Sequence, residues 1–321
     1  MNILVTGGAG YIGSAVVERL DRDHRVGSVL VADSLSGSRT AFLFGGPRLA
    51  KTRFRETNIL DTHEMASLLR GVDVVVHAAA VTRHTQFYFE DVVYEQVNRW
   101  GTAALCNLLR EKESTVRRLI YLSTTSVYGK DAEVGSTPSP TDPYAISKFE
   151  GERYVESLAG GAGAGGSGVG GSGAVEPVIL RLAQVFGYNP CVRTDTVVNS
   201  LILGALQSGQ VHIYGQGGQR KVFAELAHVA DRVVDAALGE WPSGRPVGLS
   251  AASGADILQY ELSVRDVADL VERALGRTLD RIHVSRDINY GSLVSNQAAG
   301  PDEAAPAIAA AVAGFQEAFR L

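Results

Sequence analysis

Tyr144 and Lys148 stand four residues apart in Pro143-Tyr-Ala-Ile-Ser-Lys148. At that spacing two side chains share one face of a helix. An ammonium beside a phenol favours the phenolate, so the tyrosine can trade a proton with a hydroxyl or carbonyl near neutral pH. Alone, the pair is what many solvated helix faces carry. A hydroxyl run upstream, Ser123-Thr-Thr-Ser126, and a glycine-rich loop at the N-terminus give it weight.

The loop reads as strand, then Thr6-Gly-Gly-Ala-Gly-Tyr-Ile-Gly13, then helix. Gly7 permits a tight turn, Gly10 lets a pyrophosphate approach the backbone, and Gly13 lets the helix pack on the strand. The anion would sit on the free N–H groups of the helix N-terminus. Asp33 follows at the end of the second strand-like run, where a carboxylate accepts ribose hydroxyls and repels a 2′-phosphate. The expected cofactor is therefore NAD rather than NADP, although Arg39 stands nearby with the charge for a phosphate.

The elements that must position these residues alternate. Strand-like runs fall at Asn2–Thr6, Ser28–Asp33, Thr52–Glu56, Val72–His77, Arg118–Ser123 and Val178–Arg181, and helical patterns at Ile12–Leu20, Thr62–Leu69, Asp91–Lys112 and Tyr144–Leu158. Apolar runs such as Val72-Asp-Val-Val-Val-His77 suit a parallel sheet covered on both faces. The alternation predicts an α/β fold with a doubly wound parallel sheet. Gly160–Gly173, nearly all Gly, Ala and Ser, reads as an exposed insertion. Beyond Gly187, helices are expected over Thr194–Ser208, His228–Leu238 and, after a capping-box-like Ser263-Val-Arg-Asp266, Val264–Leu275. A strand is expected over Val211–Tyr214, and an alanine-rich helix interrupted by Pro306 over Ala304–Phe319. Residues 1–182 would form the first domain, and 183–321 mainly a smaller substrate lobe with return segments to the first.

The chain has 321 residues and a formal net charge of −5, which argues against nucleic acid or an anionic membrane as partner. Cys106 and Cys191 have no paired spacing, so neither a disulfide framework nor a zinc site is expected. With no apolar run long enough to span a bilayer and a strand at residues 1–5 in place of a signal peptide, a cytoplasmic protein is expected.

These segments, together with His77-Ala-Ala-Ala80, Asn98-Arg-Trp-Gly-Thr102 and Leu122-Ser-Thr-Thr-Ser-Val-Tyr-Gly129, resemble the extended short-chain dehydrogenases/reductases. More narrowly, they resemble the NAD-dependent nucleotide-sugar epimerase/dehydratase group. That resemblance implies a Rossmann domain with a C-terminal substrate lobe, a nucleotide-sugar substrate and a homodimer built on Asp91–Lys112 and Tyr144–Leu158. It casts Tyr144 as the acid/base toward a sugar hydroxyl, Lys148 as holder of the nicotinamide ribose, and Thr124 as the hydroxyl that orients substrate. Such chemistry needs an aligned carbinol and a base within hydrogen-bond reach. The resemblance further implies cofactor contacts from Tyr11, Ile12, Asn58, Ile59, Ala78, Ala79, Ala80 and Ser123, and a structural Asn98. Substrate contacts would come from Arg83, Thr125, Ser126, Gln184, Asn199 and Arg220, with Arg83 and its neighbour His84 equally readable as a solvated loop.

Sugar 4,6-dehydratases of this group carry Asp-Glu directly after the catalytic threonine, where this chain has Thr125-Ser126. Nucleotide-sugar decarboxylases place Glu before Val-Tyr-Gly, where Ser126 stands. The resemblance is thus nearest to 4-epimerases and 4-ketoreductases, and tightly held NAD favours the epimerase. On the substrate side, Gln184 replaces an asparagine in Arg181-Leu-Ala-Gln-Val-Phe-Gly187, and Asn289 replaces an arginine in Asp287-Ile-Asn-Tyr290. Arg220 in Gly215-Gln-Gly-Gly-Gln-Arg220 is the expected diphosphate ligand. Lys221–Ala227 reads as an insertion before His228-Val-Ala-Asp231. These departures point to an unusual nucleotide-sugar.

Overall fold

The computed structural model describes residues 1–36, 41–44, 49–82, 90–111, 113–159, 175–239, 246–248, 258–285, 292–295 and 297–319. Arg39, Arg83, His84, the Gly160–Gly173 run and Asp287–Tyr290 lie outside the described residues. The chain divides into two compact units. The first comprises Met1–Val127, Pro140–Arg181 and Ala230–Gly248; the second comprises Tyr128–Ser139, Leu182–Val229 and Leu249–Leu321.

The first unit is built on a seven-stranded sheet. Its strands are β1 (Asn2–Thr6), β2 (Ser28–Asp33), β3 (Thr52–Glu56), β4 (Val74–His77), β5 (Arg118–Thr124), β6 (Glu176–Leu182) and β7 (Pro246–Gly248). They lie in the order 3-2-1-4-5-6-7. The β1–β2, β1–β4, β2–β3, β4–β5 and β6–β7 pairs run parallel. The order reverses between β1 and β4, the place where a doubly wound sheet opens a crevice at its strand ends. Central strands are apolar on both faces, and all four residues of β4 are buried. The outer strand β3 instead carries Arg53, Arg55 and Glu56, charges that blunt an exposed edge.

Three helical segments beside this sheet shape the surroundings of Gly10, Asn98 and Tyr144. Tyr11–Arg22 starts at Gly10 with no side-chain cap. Pro143–Glu156 starts on Asp142, whose carboxylate accepts the Ala145 N–H at 2.9 Å, with Pro143 in the first turn; this cap seats Tyr144 one residue later. The single helix expected over Asp91–Lys112 is three pieces: Glu90–Tyr94, a π-helical stretch Glu95–Gly101, and Thr102–Leu109. The buried Asn98 lies within the π segment. Gly101 has Ile59 pressed so close that a Cβ would sit 2.8 Å from it.

The second unit holds a three-stranded sheet of Tyr260–Ser263, Arg220–Glu225 and Gln184–Phe186, and two small parallel pairs. Of the segment Lys221–Ala227, residues Lys221 to Glu225 are in-register strand: Lys221 pairs Leu262 and Phe223 pairs Gln184. Ser263 and Asp266 form the expected capping box on Val264–Leu275. The last helix runs unbroken through Pro301–Ala318. Pro306 lies in its second turn, where only the bond to the residue 302 carbonyl is lost. Ala304, Ala307, Ile308, Ala311, Val312 and Phe315 of that helix join Phe186, Phe223 and Leu262 in the core of this unit. No helix among the described residues is long and apolar enough to cross a membrane.

Candidate active site

The glycine loop forms because its residues leave no room for side chains. Gly7 sits at φ +69°, and a Cβ there would lie 2.5 Å from the Ala79 nitrogen. A Cβ on Gly13 would collide with the Gly7 carbonyl and lie 2.8 Å from the Gly8 Cα. The helix thus starts against the loop, with Gly10, which offers no side-chain cap, then Tyr11 and Ile12 at its N-terminus. At the end of β2, Asp33 accepts the Ala9 N–H at 3.0 Å and the Leu35 N–H at 2.8 Å. That fixes a carboxylate beside the loop while each oxygen keeps a lone pair to offer. A helix end begun on glycine and a positioned acid suit the pyrophosphate and ribose hydroxyls of NAD.

Ala78, Ala79 and Ala80 follow β4 half-buried; the Ala78 N–H bonds the Thr6 carbonyl at 2.9 Å. Asn58 turns its Oδ1 onto the Leu60 N–H, while Ile59 points into the core. The Ser123 hydroxyl donates to Glu152 at 2.5 Å.

Thr124 ends β5 and Thr125–Tyr128 continues as a 3-10 turn. The Thr124 hydroxyl donates to Ser126 Oγ at 3.2 Å and receives the Ser126 N–H at 3.2 Å. Thr125 is buried and Ser126 half-buried. On the facing helix Tyr144 is half-buried, its ring edge-on to Tyr94 at 6.0 Å between centroids. Lys148, one turn further, is 2% exposed, and its Nζ lies 3.9 Å from the centroid of the Tyr121 ring. The Tyr121 hydroxyl donates to the Lys148 carbonyl at 3.2 Å. Burial pulls the Lys148 ammonium down to about 7, with the negative Glu152 opposing the shift. A lysine poised there can lose or keep its charge near neutrality.

Two buried networks back this face. Glu152, another turn along the helix, is wholly buried and receives Arg181 of β6 on both oxygens, Nη2–Oε2 at 2.7 Å and Nε–Oε1 at 3.0 Å. The second network runs through His77 at the end of β4. The Thr102 hydroxyl donates to the Asn98 carbonyl at 2.6 Å, so the His77 Nε2, 2.9 Å away, must donate to Thr102. Its Nδ1 then accepts from the Thr6 hydroxyl at 2.7 Å. Burial and Lys148 push His77 down to about 3, keeping this tautomer neutral. Asn98 in turn accepts the Val81 N–H at 2.8 Å, donates to the Val81 carbonyl and donates to Ser147 Oγ at 3.1 Å. The two networks tie the glycine loop, the loop after β4 and the Tyr144 helix into one frame. Sequence reasoning missed Glu152, Tyr121 and the role of His77. The available signal for Glu152 was the continued spacing 144, 148, 152.

In the second unit Gln184 is exposed at the start of its strand. Asn199 is buried and serves the backbone: Oδ1 accepts the Gly187 N–H at 3.0 Å and Nδ2 donates to the Arg193 carbonyl at 2.8 Å. Arg220 is held by Glu261 through its side chain and carbonyl, with Asp266 at 3.9 Å. A guanidinium so paired is a poorer diphosphate ligand than its sequence context implied. Its neighbour Lys221 is partly buried, its ammonium lowered by burial and by Lys130 and partly restored by Asp131.

A model of the NAD dependent epimerase/dehydratase family matches residues 3–238. A UDP-glucose epimerase of Bacillus subtilis (strain 168), itself uncharacterised, is 30% identical over 278 residues, 84% of this chain and 82% of that protein. The dTDP-D-glucose 4,6-dehydratase of Mus musculus is 30% identical over 236 residues, 71% of this chain and 62% of that protein. Among solved structures, the UDP-glucuronic acid 4-epimerase from Bacillus cereus in complex with NAD superposes with a TM-score of 0.77 over 100% of both chains at 21% identity, a likeness of fold. With the sheet order, the glycine loop and the placed Asp33, these matches establish that the chain belongs to the NAD dependent epimerase/dehydratase family, enzymes whose cofactor is NAD.

Proposed function

We propose that this protein is a nucleotide-sugar 4-epimerase of the extended short-chain dehydrogenase/reductase type. The observation that carries the reading is the buried Lys148 one turn from the half-buried Tyr144, on a helix facing the Thr124 end of β5. NAD, when bound, would supply the hydride acceptor and donor for the sugar C4. Tyr144 holds and returns the C4 hydroxyl proton, Lys148 keeps the phenol acidic and grips the nicotinamide ribose, and Thr124 orients the hydroxyl. Gly7, Gly10, Gly13 and Asp33 hold the dinucleotide, and Thr125 and Ser126 bear on the sugar.

Two observations support epimerisation over elimination. Thr124 and Ser126, hydrogen-bonded to each other, surround the strand end with hydroxyls rather than carboxylates. The buried carboxylate on the Tyr144 helix, Glu152, is already taken by Arg181 and Ser123. A homodimer is part of the same proposal, supported by exposed Val92, Val93, Trp100 and Ile146 on the helical segments around Tyr144.

The test is incubation of purified protein with UDP-, GDP- and dTDP-hexoses without added cofactor. The reading expects interconversion of C4 epimers with no net change in NADH. Stoichiometric consumption of added NAD(P)H would replace it with a 4-ketoreductase.

A further inference from the structure

The Lys148 ammonium, when protonated, sits where water barely reaches it. An ammonium 2% exposed needs compensation. The Tyr121 ring at 3.9 Å supplies part of it. The other part comes from Glu152. We propose that Glu152 is a positioning residue for the hydride-transfer centre: its carboxylate, one turn beyond Lys148 on the same helix face, sustains the ammonium form of that lysine, while Arg181 and Ser123 fix the carboxylate in place. The inference rests on Lys148 being the partner of Tyr144.

Glu152 forms its hydrogen bonds with Arg181 and Ser123, and it acts on Lys148 through its field. Arg181 approaches from β6 and grips both oxygens, so the carboxylate cannot swing toward solvent. Among the described residues, the charged and titratable groups around Lys148 are few. His77 faces it from β4 and is neutral. Tyr121 faces it from β5, itself raised by burial and by nearby Glu152, Tyr144 and Cys106 of the helix beyond. Tyr144 and Glu152 share its helix, and Arg181 lies behind Glu152. Glu152 is therefore the negative charge that opposes the desolvation of Lys148.

A purely structural Arg–Glu pair pinning the helix to β6 would look the same in the fold but would not move the ionisation of Lys148. The chain has five lysines, Lys51, Lys112, Lys130, Lys148 and Lys221. Labelling their ε-carbons with carbon-13 gives a small set of resonances, and Lys148→Met assigns the one of interest. Titrating the full-length protein with and without NAD, we expect the Lys148 midpoint to fall by about one pH unit or more in Glu152→Gln. It should hold in Glu152→Asp, and the other four resonances should not move. Glu152→Gln alone removes the anion that Arg181 grips in the interior, which endangers folding. The double variant Glu152→Gln/Arg181→Gln replaces the charged pair by two amides and should show the same downward shift. A Lys148 midpoint unchanged in both variants, with only thermal stability reduced, would overturn the inference. Ionisation rather than turnover is read, so an error in the assigned reaction leaves this result intact.

Discussion

At the scale of residues, the half-buried Tyr144 lies edge-on to Tyr94 with the buried Lys148 one turn away. In the sequence Tyr144, Lys148 and Thr124 stand out by type and spacing, and Asp33 by its distance from Gly13. What could not be read was the environment. Glu152, four residues beyond Lys148, looks in sequence like half of a solvated helix-surface pair. It is buried because Arg181 arrives from a strand 29 residues away. The same limit affected Arg220 and Ser123, whose partners Glu261 and Glu152 lie 41 and 29 residues off. The sharpest prediction at this scale concerns Tyr144. Tyr144→Phe keeps the ring against Tyr94 but removes the proton carrier, so kcat should fall roughly a hundred- to ten-thousand-fold. NAD binding, followed by fluorescence quenching, should persist. Unchanged turnover would remove Tyr144 from the chemistry.

At the scale of elements, strands and helix starts were legible where local chemistry decides them. Ser263 with Asp266 and the alternation through β5 fold as their patterns imply. The Asp91–Lys112 segment did not, because its apolar period carries no mark of the buried Asn98 that must reach Val81 and Ser147. Gly13→Ala tests the loop. Its new methyl meets backbone, which cannot yield as a side chain would, so a stability loss of about 1–3 kcal/mol in thermal unfolding and weaker NAD binding are expected. The His77 network makes a pH prediction. Its folded value of about 3 lies below the ordinary 6.5. Neutral His77 thus contributes stability that is fully present above pH 6.5 and is lost as pH falls toward 3. His77→Gln should be less stable at pH 7, yet its melting temperature should decline less steeply below about pH 6.5. Parallel declines in the two proteins would show that His77 does not titrate on unfolding.

At the scale of the whole molecule, the doubly wound sheet followed from the βα alternation, while the order of its seven strands and its seventh strand, Pro246–Gly248, did not. The second unit takes Tyr128–Ser139 from the first half of the chain, and the first takes back Ala230–Gly248. Such exchanges depend on strand partners such as Leu293 for Ala132, which no local pattern encodes. The proposed dimer belongs here: a Trp100→Glu/Ile146→Glu variant should sediment as a monomer where the parent protein sediments as a dimer. An unchanged mass would place the interface elsewhere. The central claim is that hydride leaves and returns to the same carbon while NAD stays bound. A UDP-hexose carrying deuterium at C4, incubated with the protein and excess unlabelled NADH, tests it most directly. The account predicts a C4 epimer that retains its deuterium at C4, formed at a rate indifferent to the added NADH and abolished by Tyr144→Phe. Loss of the deuterium to the NADH pool, or its appearance at C6 of a 4-keto-6-deoxy product, would contradict it.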